Sequence, residues 1–168
     1  MTSTSLIDRL VGYASSVLAV GGAIAMLLML FHVVVDVSGR YFFNHPLPAT
    51  IETVSFYYMV MVTALPFAYV TRDQGQITVE MFTNWLPERW LHLLEAFVGV
   101  IVFLFVGVIA WKLTQEAVSM TELGEVHDAG TIQLVTWPSR WFAAFGFGVM
   151  ACAVLLRIVD DFRGFLRP

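Results

Sequence analysis

The chain has 168 residues, of which 58% are hydrophobic and only 13% are charged, and its formal net charge is -4. Because an ordinary soluble domain has about 25% charged residues, this composition indicates a membrane protein. It excludes a disordered chain, a disulfide-stabilised secreted scaffold and a basic nucleic-acid binder. The length fits one domain over residues 1–168, and the single cysteine, Cys152, cannot form an internal disulfide.

Four segments without charged side chains predict four membrane-spanning helices. These segments run from Leu10 to Val35, from Thr53 to Thr71, from Ala96 to Trp111 and from Trp141 to Leu156. A helix needs about 20 mostly apolar residues to cross a bilayer, and apolar flanks extend the last two segments to that length. The sequence therefore predicts an all-α integral membrane protein whose helices cover about 10–37, 50–71, 88–118 and 133–157.

The positively charged residues predict the orientation of the chain. With four helices, both termini and the middle loop lie on one side of the membrane. That side has six arginines, whereas the other has three positive residues (Arg9, Arg72, Arg89, Arg157, Arg163 and Arg167 against Arg40, Lys112 and Arg140). Because positive residues favour the cytoplasmic side, we expect a multi-pass protein with both termini in the cytoplasm.

The aromatic residues predict where the bilayer surfaces lie. Tryptophan favours the interface between membrane and water, so we interpret five tryptophans as interfacial anchors: Trp85 and Trp90 on one side, and Trp111, Trp137 and Trp141 on the other. Between helices two and three, Ile77, Met81 and Trp85 recur every four residues. This spacing predicts a short amphipathic helix lying in the interface, with a plain loop as the alternative.

Catalytic motifs are absent from the sequence, which contains no GxSxG, HExxH or phosphate-binding loop. We therefore predict that the chain is not an enzyme and binds no cofactor or metal. His127 with Glu125 and Asp128 is a weak metal candidate and is more typical of a solvated acidic loop. Ionisable groups deep in a bilayer usually mark an ion or substrate pathway, but here the charged residues lie at the helix ends.

Three polar residues share one face at the end of helix one. His32, Asp36 and Arg40 are spaced four residues apart, which places them above one another on a helix. Two interpretations remain open for this stack: a network that contacts a partner subunit, or a solvated helix end with ordinary ion pairing.

Small residues recur every four positions in two of the predicted helices. The stripes are Ser15, Ala19 and Ala23 in helix one, and Ala144, Gly148 and Cys152 in helix four. Such stripes let membrane helices approach closely, so we expect contacts at Ala19 and Gly148, either within the chain or to a partner. In helix two, Pro66 removes one backbone hydrogen bond and predicts a kink.

Several short stretches, taken in order, carry a resemblance to a known family. Residues 38–43 read SGRYFF, residues 48–53 PATIET, residues 72–80 RDQGQITVE and residues 135–141 VTWPSRW. They resemble motifs of the DctQ-type small membrane subunit of TRAP (tripartite ATP-independent periplasmic) transporters. The first two stretches resemble the R-Y-x-F sequence after helix one and the W-x-x-E-E motif at the start of helix two. The last two resemble the R-x-x-x-H-I-x-V-D segment after helix two and the P-x-W sequence at the start of helix four. The second stretch lacks the tryptophan and one acid, and the third has Gln76 and Glu80 for the histidine and aspartate.

The resemblance implies a small permease subunit without catalytic activity, in the bacterial inner membrane. In this family a large membrane subunit carries the substrate and sodium sites, and a periplasmic binding protein delivers the substrate, typically an organic acid. The small subunit supports the large one, helps to dock the binding protein and lies among membrane lipids. The resemblance therefore implies organic acid uptake by sodium symport, with the sodium coupling outside this chain.

Under this interpretation, the charged residues at the helix ends become candidates for partner contacts. We expect Arg40, Glu52 and the acidic loop residues Glu122, Glu125 and Asp128 to face the periplasm and touch the binding protein. Arg72 and Asp73 are expected to stabilise the cytoplasmic turn. The departures from the family motif leave the role of the Glu52 region open, and the sequence does not identify the substrate, the lipid sites or the helices that meet the large subunit.

Two alternatives belong to other functional classes. A membrane anchor of a respiratory or redox complex would rest on the four-helix count and on His32 and His92 as haem ligands. These histidines, however, are predicted at opposite ends of their helices. A small exporter acting as a dimer would need a central acidic residue, and the charge-free segments contain none.

Overall fold

Four long helices dominate the computed structural model, which describes residues 6–73, 88–130 and 132–166. Helix one spans Leu6–Phe43, helix three Glu88–Leu123 and helix four Trp137–Leu166, while helix two occupies residues 50–73. In the described part of the chain, all four are long and apolar enough to cross a membrane. This confirms the predicted all-α membrane fold. The predicted interfacial helix, with Ile77, Met81 and Trp85, lies outside the described residues.

Helix two is the irregular member of the set. It consists of α-helical segments Thr50–Thr53, Met59–Ala64 and Phe67–Asp73, with a π-helical turn at Val54–Tyr58. The regular pattern is interrupted at Leu65 and Pro66, where the proline predicts a kink because it has no N–H to donate. The π-turn was not predicted. It inserts one extra residue per turn and so changes the direction of the side chains that follow.

The helices extend further than the sequence predicts. Helix one has 38 residues and helix three has 36, which correspond to lengths of about 57 and 54 Å, whereas the hydrocarbon core of a bilayer is only about 30 Å thick. Helix three continues through Glu122, so this residue belongs to a helix and not to the acidic loop in which it was predicted. Gly124 then ends the helix in the left-handed conformation, with φ of 63°. The Glu125 N–H donates to the Met120 carbonyl at 3.0 Å, as in a Schellman motif.

The predicted start of helix four at residue 133 is wrong, because residues 133–135 form a strand. Strand β1 (Val126–Asp128) pairs antiparallel with strand β2 (Gln133–Val135), so that His127 lies opposite Leu134. Helix four begins only at Trp137, with Pro138 in its first turn, where a missing N–H costs little. The connection between helices three and four is therefore a small β-hairpin.

The bundle is open. Helix three packs mainly against helix four, helix four also packs against helices one and two, and helix one packs against helix two. The buried hydrophobic positions are mostly alanines (Ala25, Ala64, Ala68, Ala96, Ala117, Ala144 and Ala153). Small residues let membrane helices approach one another closely, since lipid gives them no hydrophobic drive to associate. Most large apolar side chains of helices one and three point outward.

Glycines mark the closest helix contacts. At Gly146 in helix four, an added Cβ would collide with the backbone carbonyl of Ala64 in helix two. At Gly22 in helix one, an added Cβ would lie 2.9 Å from Cγ of Pro66. These two glycines therefore bring helices one and four close to helix two at the proline interruption.

The contacts within the chain follow the predicted small-residue stripes only in part. In helix one Ser15 is buried, Ala19 is half-buried and Ala23 is exposed, because a strict four-residue repeat drifts by about 40° per step around a helix. In helix four, Gly148 has open space where a Cβ would be. A partner contact at Gly148 stays a prediction.

Candidate functional site

A hydrogen-bonded polar cluster lies where helix one is followed by the loop to helix two. Asp36 is buried, with only 5% of its surface exposed. One carboxylate oxygen accepts the Leu47 N–H at 2.8 Å, and the other accepts Arg40 Nη2 at 3.2 Å. Asp36 therefore fixes the loop against helix one. The ordinary i,i+4 ion pair expected at a solvated helix end is present, but Asp36 itself is buried and not solvated. The loop needs fixing because Asn44 and Ala49 both have positive φ angles, of 52° and 57°, which side chains disfavour.

The other two members of the predicted stack have different surroundings. His32 faces helix two, where its Nδ1 lies 3.5 Å from the Tyr58 hydroxyl and the two rings meet edge to face. The Arg40 side chain is 63% exposed beyond its contact with Asp36. Of the three residues, His32 therefore contacts helix two and Asp36 contacts the loop. Arg40 is the member whose side chain is exposed enough to contact a partner.

An ion pair holds the second connection, between helices three and four. Arg140 Nη2 lies 2.9 Å from one carboxylate oxygen of Glu125, and Nε lies 3.3 Å from the other. This guanidinium lowers the pKa of Glu125 below its ordinary value, because the paired charge favours the ionised carboxylate. The Glu125 carbonyl also accepts the N–H of buried Thr136 at 3.0 Å. Glu125 is thus a structural residue of the connection.

Two contacts join these connections into one surface. The Tyr57 hydroxyl donates to the Val135 carbonyl on strand β2. Beside it, the Phe56 ring packs against His127 of strand β1, with ring centroids 4.8 Å apart. Residues 36–52, 122–130 and 132–140 therefore lie together at one end of the bundle, and we call this surface the loop face. The π-helical turn contains both Phe56 and Tyr57.

The other predicted residues on and near the loop face differ in exposure. Glu122 and Asp128 are exposed, and Glu52 is half-buried in the first turn of helix two. Trp111 is 66% exposed on helix three. Trp137 and Trp141 are half-buried, and Trp141 Nε1 donates to the Thr121 hydroxyl at 3.0 Å. The loop face therefore combines the exposed acids Glu122 and Asp128 with the buried Asp36 and the partly exposed pair of Glu125 and Arg140.

At the opposite end of the bundle, Arg72 links helix two to helix one. Its Nη2 lies 2.9 Å from the Asp8 carboxylate, and its Nη1 donates to the Asp8 carbonyl at 3.2 Å. The guanidinium passes directly over Gly12, where an added Cβ would collide with it. The side chains of Asp73 and Trp90, and all of Trp85, lie outside the described residues.

The sequence analysis did not predict the structural contacts of Asp36 and Tyr57. The spacing from Asp36 to Arg40 indicated an ion pair, but nothing in the sequence links Asp36 to the backbone of Leu47, 11 residues away. Tyr57 meets a carbonyl 78 residues away. Within the described residues, no three His, Cys, Asp or Glu side chains come together as metal ligands.

Comparison with known proteins identifies a family. No curated protein and no solved structure matches the chain. A family model matches residues 29–164, and its description is the DctQ component of the tripartite ATP-independent periplasmic transporters. The match covers well over half of the chain and includes the loop face, helices two and three, nearly all of helix four, and residues 29–43 of helix one. The chain therefore belongs to the DctQ family of TRAP transporter components.

Proposed function

We propose that this chain is the non-catalytic small permease subunit of a TRAP transporter that imports organic acids together with sodium ions. Membership of the DctQ family is the observation that carries the proposal. The sequence supports it, because the four charge-free segments contain no Asp, Glu, Lys or Arg that could form a substrate or ion path within the chain. The substrate and sodium sites then belong to a large membrane subunit.

The open bundle supports a scaffolding role toward that subunit. Only 11% of the most apolar window is buried in helix one, and the same fraction is buried in helix three. Such faces must be covered by lipid or by another membrane protein. A large subunit seated against them would be held in place by the small one.

The loop face supports a role in docking a periplasmic binding protein. Its exposed charges are Arg40, Glu122 and Asp128, and its interior is fixed by Asp36 and Glu125. A rigid face with charges at its surface favours a charged partner, because docking then orders few side chains. In this arrangement the loop face is periplasmic, and both termini lie on the cytoplasmic side of the inner membrane.

Co-purification tests the central proposal. The tagged full chain is expressed with its neighbouring genes and extracted in mild detergent. We expect a large polytopic membrane protein to co-purify, and we expect uptake by proteoliposomes to require both chains together with a binding protein. Repeated purification without a large membrane partner would contradict the proposal.

Charge reversal tests the docking role. Glu122→Lys combined with Asp128→Lys should reduce uptake severalfold while the membrane complex still assembles. The control is Asp160→Lys, an exposed acid at the opposite end of the bundle, where 70% of the side chain is accessible. Equal uptake by both variants would remove the docking role.

Cysteine labelling in intact cells tests the orientation. In a Cys152→Ser background, Asp128→Cys should react with a membrane-impermeant reagent added outside the inner membrane, whereas Asp73→Cys should react only after the membrane is opened. The reverse pattern would show that the termini are periplasmic.

A further inference from the structure

A shallow groove of about 490 Å³ runs along an exposed face of helix three and is lined by residues of this helix (Trp111, Thr114, Gln115, Val118, Ser119 and Glu122). The neighbouring side chains of Lys112 and Glu116 are exposed as well. Neither forms an ion pair with another residue of the described ranges. Lys112, Gln115, Glu116 and Ser119 lie three or four residues apart on one side of the helix, and we call them the polar face of helix three.

Two contacts fix the position of the polar face along helix four. An added Cβ at Gly99 would lie 2.8 Å from Cγ1 of Ile158, and Trp141 Nε1 donates to the Thr121 hydroxyl at 3.0 Å. Between these contacts, the polar face runs beside the charge-free segment of helix four, which begins at Trp141. Lys112 comes nine residues before Thr121 and therefore lies about 14 Å from it along helix three.

Helix two agrees with this position. Gly146 and Phe147 of helix four contact Ala64 and Phe67 in the charge-free segment of helix two. Because the charge-free segments are the parts expected to cross the bilayer, helices two and four together place the polar face at membrane depth. Residue type alone instead predicts Trp111 at the headgroup level, which would leave the polar face in water.

Lipid is a poor neighbour for charged side chains at membrane depth. Such residues are costly there and almost always face protein or a water-filled cavity. A long side chain can avoid this cost by extending to the interface, but the four-carbon stem of Lys112 does not span about 14 Å. The Glu116 side chain is shorter still. The polar face therefore requires a partner that is itself a membrane protein with polar groups.

We propose that the polar face of helix three packs within the membrane against the large membrane subunit, whose facing helix supplies a carboxylate to Lys112 and hydrogen-bond donors to Glu116. This inference rests on the proposed function for the identity of the partner, and it adds the contact surface and its chemistry. Trp111 and Val118, which are 66% and 42% exposed, supply apolar contact area in the adjoining groove.

A second copy of this chain fits the polar face less well. Two copies inserted in the same direction are related by an axis along the membrane normal, so each residue lies level with its own counterpart. Lys112 would then face Lys112 and Glu116 would face Glu116, and like charges placed together disfavour association. A different protein with complementary charges has no such restriction.

Cysteine labelling tests the depth of the polar face. In a Cys152→Ser background, the full chain with Gln115→Cys is expressed without the large subunit, and membrane fragments open on both sides are treated with a charged maleimide. Asp128→Cys, on the β-hairpin, is the control. Because only the thiolate reacts and lipid suppresses ionisation, we expect Gln115→Cys to react at least tenfold more slowly than Asp128→Cys. Equal rates would put the polar face in water and overturn the proposal.

Photo-crosslinking identifies the occupant of the polar face. The full chain with a benzophenone side chain in place of Gln115 is co-expressed with its neighbouring genes and irradiated in intact membranes. We expect a crosslink to the large membrane subunit. A crosslink to lipid alone, or to a second copy of this chain, would overturn the proposal.

Removing the charge tests the pairing. Lys112→Leu should lower the amount of large subunit that co-purifies at least threefold, because the partner carboxylate is left without its counter-charge. Arg163→Leu is the matched control, since the Arg163 side chain is 65% exposed near the opposite end of the bundle, and it should leave co-purification unchanged.

The outcomes separate this inference from the proposed function. Failure of the wild-type chain to capture any large subunit would refute the proposed function. Capture by the wild type together with equal capture by Lys112→Leu would refute only the charged contact at the polar face.

Discussion

The two helical hairpins of this bundle are held together by different interactions. The second hairpin, helices three and four, has two continuous helices that pack along each other and are joined by a regular β-hairpin. The first hairpin, helices one and two, has an interrupted second helix and a short loop with two residues at positive φ. Regular hydrogen bonding organises one hairpin, and a single buried carboxylate, Asp36, organises the connection in the other.

The difference shows how much each connection depends on one side chain. Asp36 is nearly inaccessible, so loss of its carboxylate leaves the Leu47 N–H without its acceptor inside the protein. The side chains of Glu125 and Arg140 are 24% and 39% exposed, so water can replace either partner. Equivalent mutations should therefore cost more free energy in the first connection than in the second.

The largest effect should come from separating the two hairpins. Gly146→Leu places a side chain against the Ala64 backbone and should lower stability by about 2 kcal/mol or more, since overpacking typically costs about 1–3 kcal/mol. Thermal unfolding of the purified chain in detergent measures this. Gly148→Leu is the control, because it enters open space, and it should change stability by less than about 0.5 kcal/mol.

Similar stability of these two variants would contradict the packing of helix four on helix two. If Gly148→Leu has normal stability but lowers the yield of the transporter complex, the contact predicted at Gly148 is made to a partner.

The next largest effect is expected at Asp36. Asp36→Ala should cost about 2 kcal/mol, because hydrogen bonds to charged groups contribute about 1.5–3 kcal/mol. Asp36→Asn keeps an oxygen for the Leu47 N–H and should cost about half as much. Thermal unfolding and limited proteolysis of the loop at residues 44–49 would measure both. If Ala and Asn behave alike, the backbone contact is not what Asp36 contributes.

A smaller effect is expected where the hairpins meet at the loop face. Tyr57→Phe removes the hydroxyl that donates to Val135 and should cost about 1 kcal/mol. Tyr58→Phe is the matched control, since its hydroxyl makes only a long contact of 3.5 Å to His32, and it should cost less. A larger loss of stability for Tyr58→Phe than for Tyr57→Phe in thermal unfolding would show that the Tyr58 hydroxyl makes the more stabilising contact.

The smallest effect concerns Glu125, and it should depend on pH. Glu125→Gln should cost less than about 1 kcal/mol at pH 7, as is typical of partly exposed ion pairs. Because Arg140 lowers the pKa of Glu125 in the folded chain, the unfolded chain binds the proton more readily. The stabilisation is therefore present above the ordinary pKa of 4.5 and is lost as the pH falls below it.

Thermal unfolding of wild type and Glu125→Gln between pH 7 and pH 3.5 measures this dependence. We expect the difference between them to shrink toward zero at the acid end. A difference that grows on acidification would show that the carboxylate is not the stabilising form.

The sequence predicts the membrane architecture well because hydropathy and charge report directly on the bilayer. The four spans and the interruption at Pro66 follow from residue type alone. Helix ends are harder to predict, because a helix can continue through polar residues beyond its apolar segment, as helix three does from Lys112 to Leu123. Its end depends on Gly124, whose positive φ is a matter of backbone conformation and not of hydropathy.

The polar contacts of the loop face lie beyond what the sequence can show. The strands Val126–Asp128 and Gln133–Val135 have three residues each, too few for an alternating pattern. The contacts of Asp36 and Tyr57 are to backbone atoms, which every residue possesses, so no residue type identifies the partner. The π-helical turn that orients Tyr57 likewise has no reliable composition signal.

The length of helix three has a consequence for any protein that meets the loop face. If Trp111 lies at the headgroup level, as its residue type predicts, helix three rises by about 18 Å along the membrane normal from there to Leu123. The headgroup layer is only about 5–7 Å thick, and at physiological salt the field of its charges decays over about 8 Å. A soluble partner bound at the β-hairpin would therefore respond to the charges of this chain and hardly at all to the anionic lipids beneath it.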